Sequence, residues 1–132
     1  MGNMQRNKGA NAEREFVKIL QPVVDRVMGQ GEVKMARNLM QTRDGGFDIA
    51  GLEWLALEIK RQETLSLAAW WEQAVRQAGE DRVPVLAYRQ NGKKWRVRMQ
   101  VQLHGVVALA ELSLDDWLEI FEQQLMEYLQ DG

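Results

Sequence analysis

The sequence predicts one α/β or α+β domain in which a central mixed β-sheet is flanked by helices. Three observations predict this fold class. Segments with apolar residues at three- and four-residue spacing lie at the start, middle and end of the chain, which is typical of helices packed on a core. Short apolar runs bounded by glycine-containing turns lie between them. The length of 132 residues fits a single domain over 1–132.

The first helix is predicted to begin at Asn11, after ten residues (1–10) that we expect to form a polar N-terminal arm. The apolar positions that define this helix are Phe16, Val17, Ile19, Leu20, Val23 and Val24. Pro22 lies inside the pattern and lacks the N–H that a helix interior requires. We therefore expect the helix to kink or end near Gln21.

Short strands are predicted next, over residues 33–36, 47–50, 54–61, 83–89, 95–99 and 106–112. The first of these is ambiguous between strand and loop. Asp44-Gly45-Gly46 and Asn91-Gly92 are turn signals, and the second is typical of a β-hairpin.

Two more helices are predicted from their capping residues. Ser66 is suited to begin a helix that runs to about Ala78, where Gly79 is expected to end it. Ser113 and Asp116 form a variant capping box before a last helix over 113–130.

The net charge of −2 conceals an asymmetry. Residues 111–132 carry seven acids and no Lys or Arg, so the last helix is acidic. Residues 1–110 hold all 17 basic residues against 12 acids, a net charge of +5. A mildly basic body is compatible with phosphate binding, although an ordinary solvated surface explains the asymmetry equally well.

Composition excludes several classes of protein. The chain has no cysteine, which excludes disulfides, thiolate nucleophiles and Cys-ligated zinc. No apolar run approaches the roughly 20 residues that span a bilayer, and no signal-peptide pattern is visible. We expect a cytoplasmic protein with no membrane partner.

The strand predicted over 54–61 carries two charged residues on one face. Side chains alternate along a strand, so Glu58 and Lys60 point away from the face of Leu57. Asp48 lies on the preceding strand, and antiparallel pairing of the two strands would bring it to Glu58. The alternative is that these charges form the solvated side of a sheet edge.

Paired carboxylates at this position favour a metal site. Two carboxylates that converge repel each other unless a positive charge lies between them. Mg²⁺ is suited to that place because it prefers oxygen ligands and retains several waters. Lys60 beside the metal could orient a water and stabilise charge on a phosphate oxygen. These components are those that phosphodiester hydrolysis needs.

Glu13 is a third acid in an unexpected place. It shares a helical stripe with Val17, Leu20 and Val24, where a helix should bury apolar groups. It is either directed into the site or is an acid of the first helical turn that is favourable to the helix dipole.

These motifs resemble those of a known family. Gly46-Phe47-Asp48 followed by Glu58-Ile59-Lys60 resembles the signature of the PD-(D/E)XK nucleases, with Phe47 in place of the proline. The segment 8–15, Lys-Gly-Ala-Asn-Ala-Glu-Arg-Glu, is similar to the first helix of archaeal-type Holliday junction resolvases and their phage relatives. The resemblance covers roughly residues 6–90.

The resemblance implies a restriction-endonuclease-like domain with a Mg²⁺ or Mn²⁺ cofactor and no small-molecule cofactor. Asp48, Glu58 and the backbone carbonyl of Ile59 would bind the metal, and Glu13 would assist directly or through water. Lys60 would position the attacking water.

The resemblance also implies a further site residue and a setting. A glutamine of the helix after the signature would approach the site, and Gln73 is the match, with Gln77 one turn further on. The setting would be a bacterial host cell, with the gene carried by the host or by a phage.

Contacts with DNA phosphates are expected from basic residues near the motif and around the hairpin: Lys8, Arg14, Arg43, Arg61, Lys94 and Arg96. For each of them an ordinary surface position is the alternative. Arg96 and Arg98 share one strand face with Lys94, which indicates either a DNA contact or a solvated face.

Three functions remain open. The first is a structure-selective endonuclease, a Holliday junction resolvase of phage type. The second is a nuclease of duplex, nicked or foreign DNA. The third is an inactive DNA-binding module of the same fold, in which a metal-binding carboxylate or the lysine should be missing.

A resolvase must make two opposed cuts, so we expect a homodimer. Trp70 and Trp71 are adjacent and point about 100° apart on a helix. Either one of them faces a partner subunit, or both lie in a wide buried face of a monomer.

Overall fold

The structure is a computed structural model that describes residues 2–39 and 46–131, with side chains from Lys8 onward. The described residues form three helices and a six-stranded mixed sheet, which confirms the predicted α+β architecture. The elements are α1 (Gly2–Met28), β1 (Ala36–Arg37), β2 (Ile49–Ala50), β3 (Leu55–Arg61), α2 (Leu67–Ala78), β4 (Val83–Arg89), β5 (Arg96–Leu103), β6 (Val106–Ser113) and α3 (Leu114–Asp131).

The strands follow chain order across the sheet, from β1 at one edge to β6 at the other. Strands β3 and β4 are parallel, and every other neighbouring pair is antiparallel. Parallel neighbours need a crossover connection, which α2 provides. The antiparallel strands β1 and β2 have two residues each, whereas the neighbouring β3 has seven. The long strand β3 therefore lies close to one edge of the sheet.

The first helix is longer than the sequence predicts. It begins at Gly2, so residues 2–10 are helical rather than an arm, and it continues through Pro22 to Met28. Once a helix is anchored, each added residue gains a hydrogen bond without a new nucleation cost. Beyond the proline, buried Val23 and Val24 hold the helix on the core, and the proline itself is exposed. The predicted end near Gln21 is therefore wrong.

One face of the sheet packs against α1 and α3. Leu57 and its neighbours on β3 meet an aromatic cluster there. Phe16 lies edge-on to Trp95 with ring centroids 5.0 Å apart, and Trp117 stacks on Phe121 at 5.0 Å. These aromatic groups link the two terminal helices to the sheet in one core cluster.

The other face of the sheet packs against α2. Trp70 is buried against Leu86 and Tyr88, and Trp71 is half-buried on the same cluster. Both tryptophans thus contribute to the core of the single chain, as in the wide buried face of a monomer. Because helices cover both faces, β3 is buried almost throughout, and any charge on it is held at low exposure.

Two capping predictions have different outcomes. The Ser113 hydroxyl accepts a hydrogen bond from the Asp116 N–H at 3.1 Å, as the capping box predicts. Ser66 precedes α2 but makes no side-chain capping bond. Gly79 ends that helix with φ +62°, and its N–H donates to the Val75 carbonyl.

The β4–β5 and β5–β6 hairpins differ in their turns. The Asn91-Gly92 hairpin connects β4 and β5 as predicted. The β5–β6 turn is tighter: His104 and Gly105 both have positive φ, 53° and 76°, with Leu103 opposite Val106. Two consecutive positive φ values are typical of a two-residue type I′ turn. The sequence analysis missed this turn because histidine is not one of the usual residues there.

Within the described ranges, no helix is long and apolar enough to cross a membrane.

Candidate active site

Asp48 and Glu58 lie opposite each other at the junction of β2 and β3. The Asp48 N–H donates to the Leu57 carbonyl at 2.8 Å, and Ile49 is paired with Leu57. This register places the two acids in the antiparallel pairing that the sequence predicts. Both are buried, with relative exposures of 9% for Asp48 and 3% for Glu58.

Asn38 and the β3 backbone fix the position of Asp48. The Asn38 N–H donates to the Asp48 carbonyl at 2.8 Å, and its side-chain amide donates to the Phe47 carbonyl at 3.0 Å. The Ile59 N–H donates to Asp48 Oδ2 at 2.7 Å. Backbone and side chain of Asp48 are both held. Asn38 was missed in the sequence analysis, where nothing distinguishes it from any other loop asparagine.

Burial of two acids together shifts both of their pKa values upward. Desolvation raises the pKa of Asp48 to about 6, partly offset by the Ile59 hydrogen bond. Desolvation, followed by the negative charge of Asp48, raises the pKa of Glu58 to about 8, and the positive charge of Lys60 acts against this. The pair holds a proton in the neutral range because burial and mutual repulsion disfavour two ionised carboxylates.

The two carboxylate oxygens of Glu58 differ in their surroundings. Lys60 Nζ lies 3.7 Å from Glu58 Oε1, whereas Oε2 is buried with no hydrogen-bond partner among the described residues. A buried carboxylate oxygen without a partner is unfavourable. An oxygen-preferring divalent cation is the kind of ligand that fits this group and the neighbouring Asp48 carboxylate.

Glu13 reaches the same region from α1 and has a cationic partner. Its Oε1 accepts a hydrogen bond from Arg37 Nε at 3.0 Å, and its charge contributes to the raised pKa of Asp48. In the part of the chain that the structure describes, no three His, Cys, Asp or Glu side chains form one metal-binding group. Glu13 therefore lies near the acid pair and shares its charge with Arg37.

These groups line one cleft of about 770 Å³, which contains Lys8, Gly9, Glu13, Gly46, Asp48, Glu58, Ile59, Lys60, Arg61, Gln73 and Gln77. Both glutamines of α2 reach it, and Gln77 Oε1 is buried without a hydrogen-bond partner among the described residues. Gly46 has φ +89°, and a Cβ there would lie 3.3 Å from the Gln77 amide nitrogen. A glycine at this position thus lets α2 approach the acid pair.

An ion-pair network that the sequence analysis missed borders the cleft. Glu15 Oε1 lies 3.1 Å from Arg89 and accepts a hydrogen bond from Trp95 Nε1 at 3.1 Å. Its other oxygen lies 3.9 Å from Arg61. Glu15 thereby ties α1 to β3, β4 and the start of β5. Its position two residues after Glu13 was the only available signal.

The predicted DNA-contact residues fall into separate places. Lys8 and Arg61 line the cleft, whereas Arg14 is exposed and bonds Asn11 within its own helix. Arg43 lies outside the described residues. The structure therefore brings two of these candidates to the acid pair.

The remaining candidates lie at a second groove of about 620 Å³ by the β4–β5 turn, where Lys94 and Arg96 are found. Arg96 and Arg98 lie 3.4 and 2.8 Å from Glu111. Glu111 compensates one of these two positive charges, so a net positive charge remains on this strand face.

The class of the protein is that of a PD-(D/E)XK-type domain, as the motifs predict. The features that define it are the mixed sheet, Asp48 beside β2, and Glu58 and Lys60 on β3. A profile of the family described as "Phage putative PDDEXK endonuclease" matches residues 4–117. The chain belongs to this family.

A solved structure gives independent support for the fold. The chain is similar to Hjc of Archaeoglobus fulgidus, a Holliday junction resolvase from an archaeal hyperthermophile, with a TM-score of 0.53 and 19% sequence identity. The similarity covers 85% of this chain and 96% of the other. It confirms the restriction-endonuclease-like fold. No curated protein sequence matches the chain.

The raised pKa values predict a pH dependence of stability in the metal-free protein. Folding raises the pKa of Asp48 from 3.8 to about 6 and that of Glu58 from 4.5 to about 8. Their contribution to stability is therefore fully present below about pH 4 and is lost as the pH rises through these values. The thermal midpoint in EDTA should fall between pH 5 and pH 8.5, and Glu58→Gln should reduce this fall.

The exposed acid Glu53 provides the matched control, because Glu53→Gln should leave the pH slope unchanged. A slope that is the same in Glu58→Gln as in the unsubstituted protein would contradict the assignment.

Proposed function

We propose that this chain is a divalent-metal-dependent endodeoxyribonuclease that hydrolyses phosphodiester bonds, and that its preferred substrate is branched DNA such as a Holliday junction. One observation carries the proposal. A buried Asp48–Glu58 pair, in which Glu58 Oε2 accepts no hydrogen bond from a donor of the described residues, lies beside Lys60 in a cleft that is open to a large ligand. Membership of a PDDEXK endonuclease family supports the same reaction class.

The residues that would hold Mg²⁺ or Mn²⁺ are Asp48, Glu58 and the backbone carbonyl of Ile59. The Ile59 N–H points to Asp48, and in a strand the carbonyl of the same residue points to the same side. Glu13 would act through a water because Arg37 already binds it. When bound, the cation supplies charge neutralisation and a water of lowered pKa.

Lys60 is the residue best placed to contact substrate. Its side chain is 20% exposed, in contrast to 4% for that of Glu58, so it lies between the buried acids and the open cleft. Its ammonium group offers three donors to a water or to a phosphate oxygen, where it would stabilise developing negative charge. Gln73 would assist from α2 by orienting the same water or phosphate.

The choice of branched DNA rests on the fold and on the state of the site. The structural likeness to a Holliday junction resolvase supports a junction substrate. An inactive DNA-binding module is disfavoured because neither acid nor the lysine is lost. A junction has near two-fold symmetry, so the active form is proposed to be a homodimer. The phage family supports action within an infected bacterial cell.

Removal of either proposed metal ligand should abolish cleavage. Asp48→Asn and Glu58→Gln retain the shape of the side chain but remove charge, and each should lower the cleavage rate by at least about 100-fold. Labelled four-way junction, matched duplex and single strand, each with Mg²⁺ or EDTA, provide the assay. Glu53→Gln is the control and should retain activity. Full activity in EDTA, or an active Asp48→Asn variant, would exclude the metal mechanism.

Lys60 and Glu13 should separate catalysis from metal binding. Lys60→Ala should lose turnover while Mn²⁺ affinity, measured by calorimetry, stays close to that of the unsubstituted protein. Glu13→Gln should also lose activity because it no longer orients a metal-bound water. If Glu13→Gln cleaves at the full rate, Glu13 serves only as the ion-pair partner of Arg37. Loss of Mn²⁺ binding in Lys60→Ala would argue against the role assigned to the lysine.

A further inference from the structure

The open edge of the sheet at β6 is apolar and exposed. Val106 and Val107 are 62% and 63% exposed, and Leu109 is 46% exposed. The first five residues of the strand (106–110) contain no charge and no proline. The strand pairs with β5 along all eight positions without a β-bulge. The usual devices that protect an edge strand, namely charges, prolines and bulges, are therefore missing from this segment.

Half of this hairpin extends beyond the rest of the sheet. Strand β4 pairs with β5 only from Arg96 to Met99, so residues 100–103 of β5 and 106–109 of β6 form a two-stranded ribbon. Leu103, next to the turn, is 64% exposed. A two-stranded ribbon by itself is marginally stable in water. An apolar ribbon with a free edge indicates that another strand covers it.

We propose that β6 pairs in antiparallel orientation with β6 of a second copy of this chain, which joins the two sheets across a two-fold axis. In a two-residue hairpin, the backbone N–H and C=O groups of the residues that flank the turn, Leu103 and Val106, point toward each other across the hairpin. The backbone N–H and C=O groups of Val107, Leu109 and Glu111 then point away from β5, toward the free edge. With the axis at Ala108, Val107 pairs with the partner's Leu109.

The composition of β6 favours a second copy over other occupants. In this register, apolar side chains meet apolar side chains at all five positions of 106–110. Glu111 falls opposite the partner's Gly105, so no like charges meet. An isologous contact requires this kind of self-complementarity. DNA is a poor occupant because 106–110 offers no cation to phosphate.

This geometry would fix the distance and orientation between the two active sites, a consequence that rests on the proposed function. The two β3 strands would lie seven strand spacings apart, about 34 Å. An axis perpendicular to the sheet leaves both clefts open on the same side. A two-fold branched substrate that needs two cuts would meet both sites at once.

Charge reversal tests the interface in the absence of DNA and metal. Val107→Lys/Leu109→Lys puts like charges directly opposite each other twice, and Val107→Glu/Leu109→Glu does the same with acids. Sedimentation velocity should show a dimer for the unsubstituted chain and at least about tenfold weaker self-association for each double variant. An equimolar mixture of the two variants should restore the dimer. Gln100→Lys/Gln102→Lys, on the neighbouring strand, should remain dimeric.

Cysteine cross-linking tests the register. The chain has no cysteine of its own, and Ala108→Cys would place two thiols across the axis at a Cα separation of roughly 4.5 Å, within disulfide range. Mild oxidation should cross-link Ala108→Cys and should not cross-link His104→Cys at the turn.

Two results would overturn the proposal. One is a monomer at all concentrations, and the other is a dimer that survives both double variants without cross-linking of Ala108→Cys. Because assembly is measured without DNA, an inactive but dimeric protein would refute the proposed function and leave this interface intact.

Discussion

Two carboxyl groups are buried side by side between β2 and β3, and much of the surrounding structure holds them there. Burial of Asp48 and Glu58 without a cation is unfavourable, because each charge loses water and repels the other. Among the described residues, the Ile59 N–H and Lys60 offset part of this cost, and the raised pKa of Glu58 lets the pair retain a proton near neutral pH. Additional positive charge beside the two carboxyl groups would stabilise this arrangement.

The fold supplies the rigidity that such a pair requires. Strand β3 is clamped between α2 and the aromatic cluster under α1 and α3, so Glu58 cannot turn out to solvent. Asn38 fixes the segment that carries Asp48. The strands β1 and β2 have only two residues each, and the cleft forms beside them at the end of β3. Lys60 and Arg61 at the end of β3 project into it.

The part of the site that follows from local periodicity could be predicted from the sequence. Alternation along one strand places Glu58 and Lys60 on a common face, and helical spacing singles out Glu13. The ion pair of Glu13 with Arg37 could not be predicted, because it depends on where the two-residue strand β1 lies in three dimensions. Of the two outcomes predicted at Pro22, a kink or an end of α1, the end is wrong, since tertiary burial of the residues after the proline outweighs its local preference.

In the proposed function, Asp48 and Glu58 form a cation site, and the pair holds a proton when no metal is bound. Calorimetric titration of Mn²⁺ at pH 7, in buffers of different ionisation enthalpy, counts the protons released on binding. We expect one Mn²⁺ site per chain with release of about one proton. Glu58→Gln should lose both Mn²⁺ binding and proton release. Binding without proton release, or undiminished binding by Glu58→Gln, would contradict the proposed cation site.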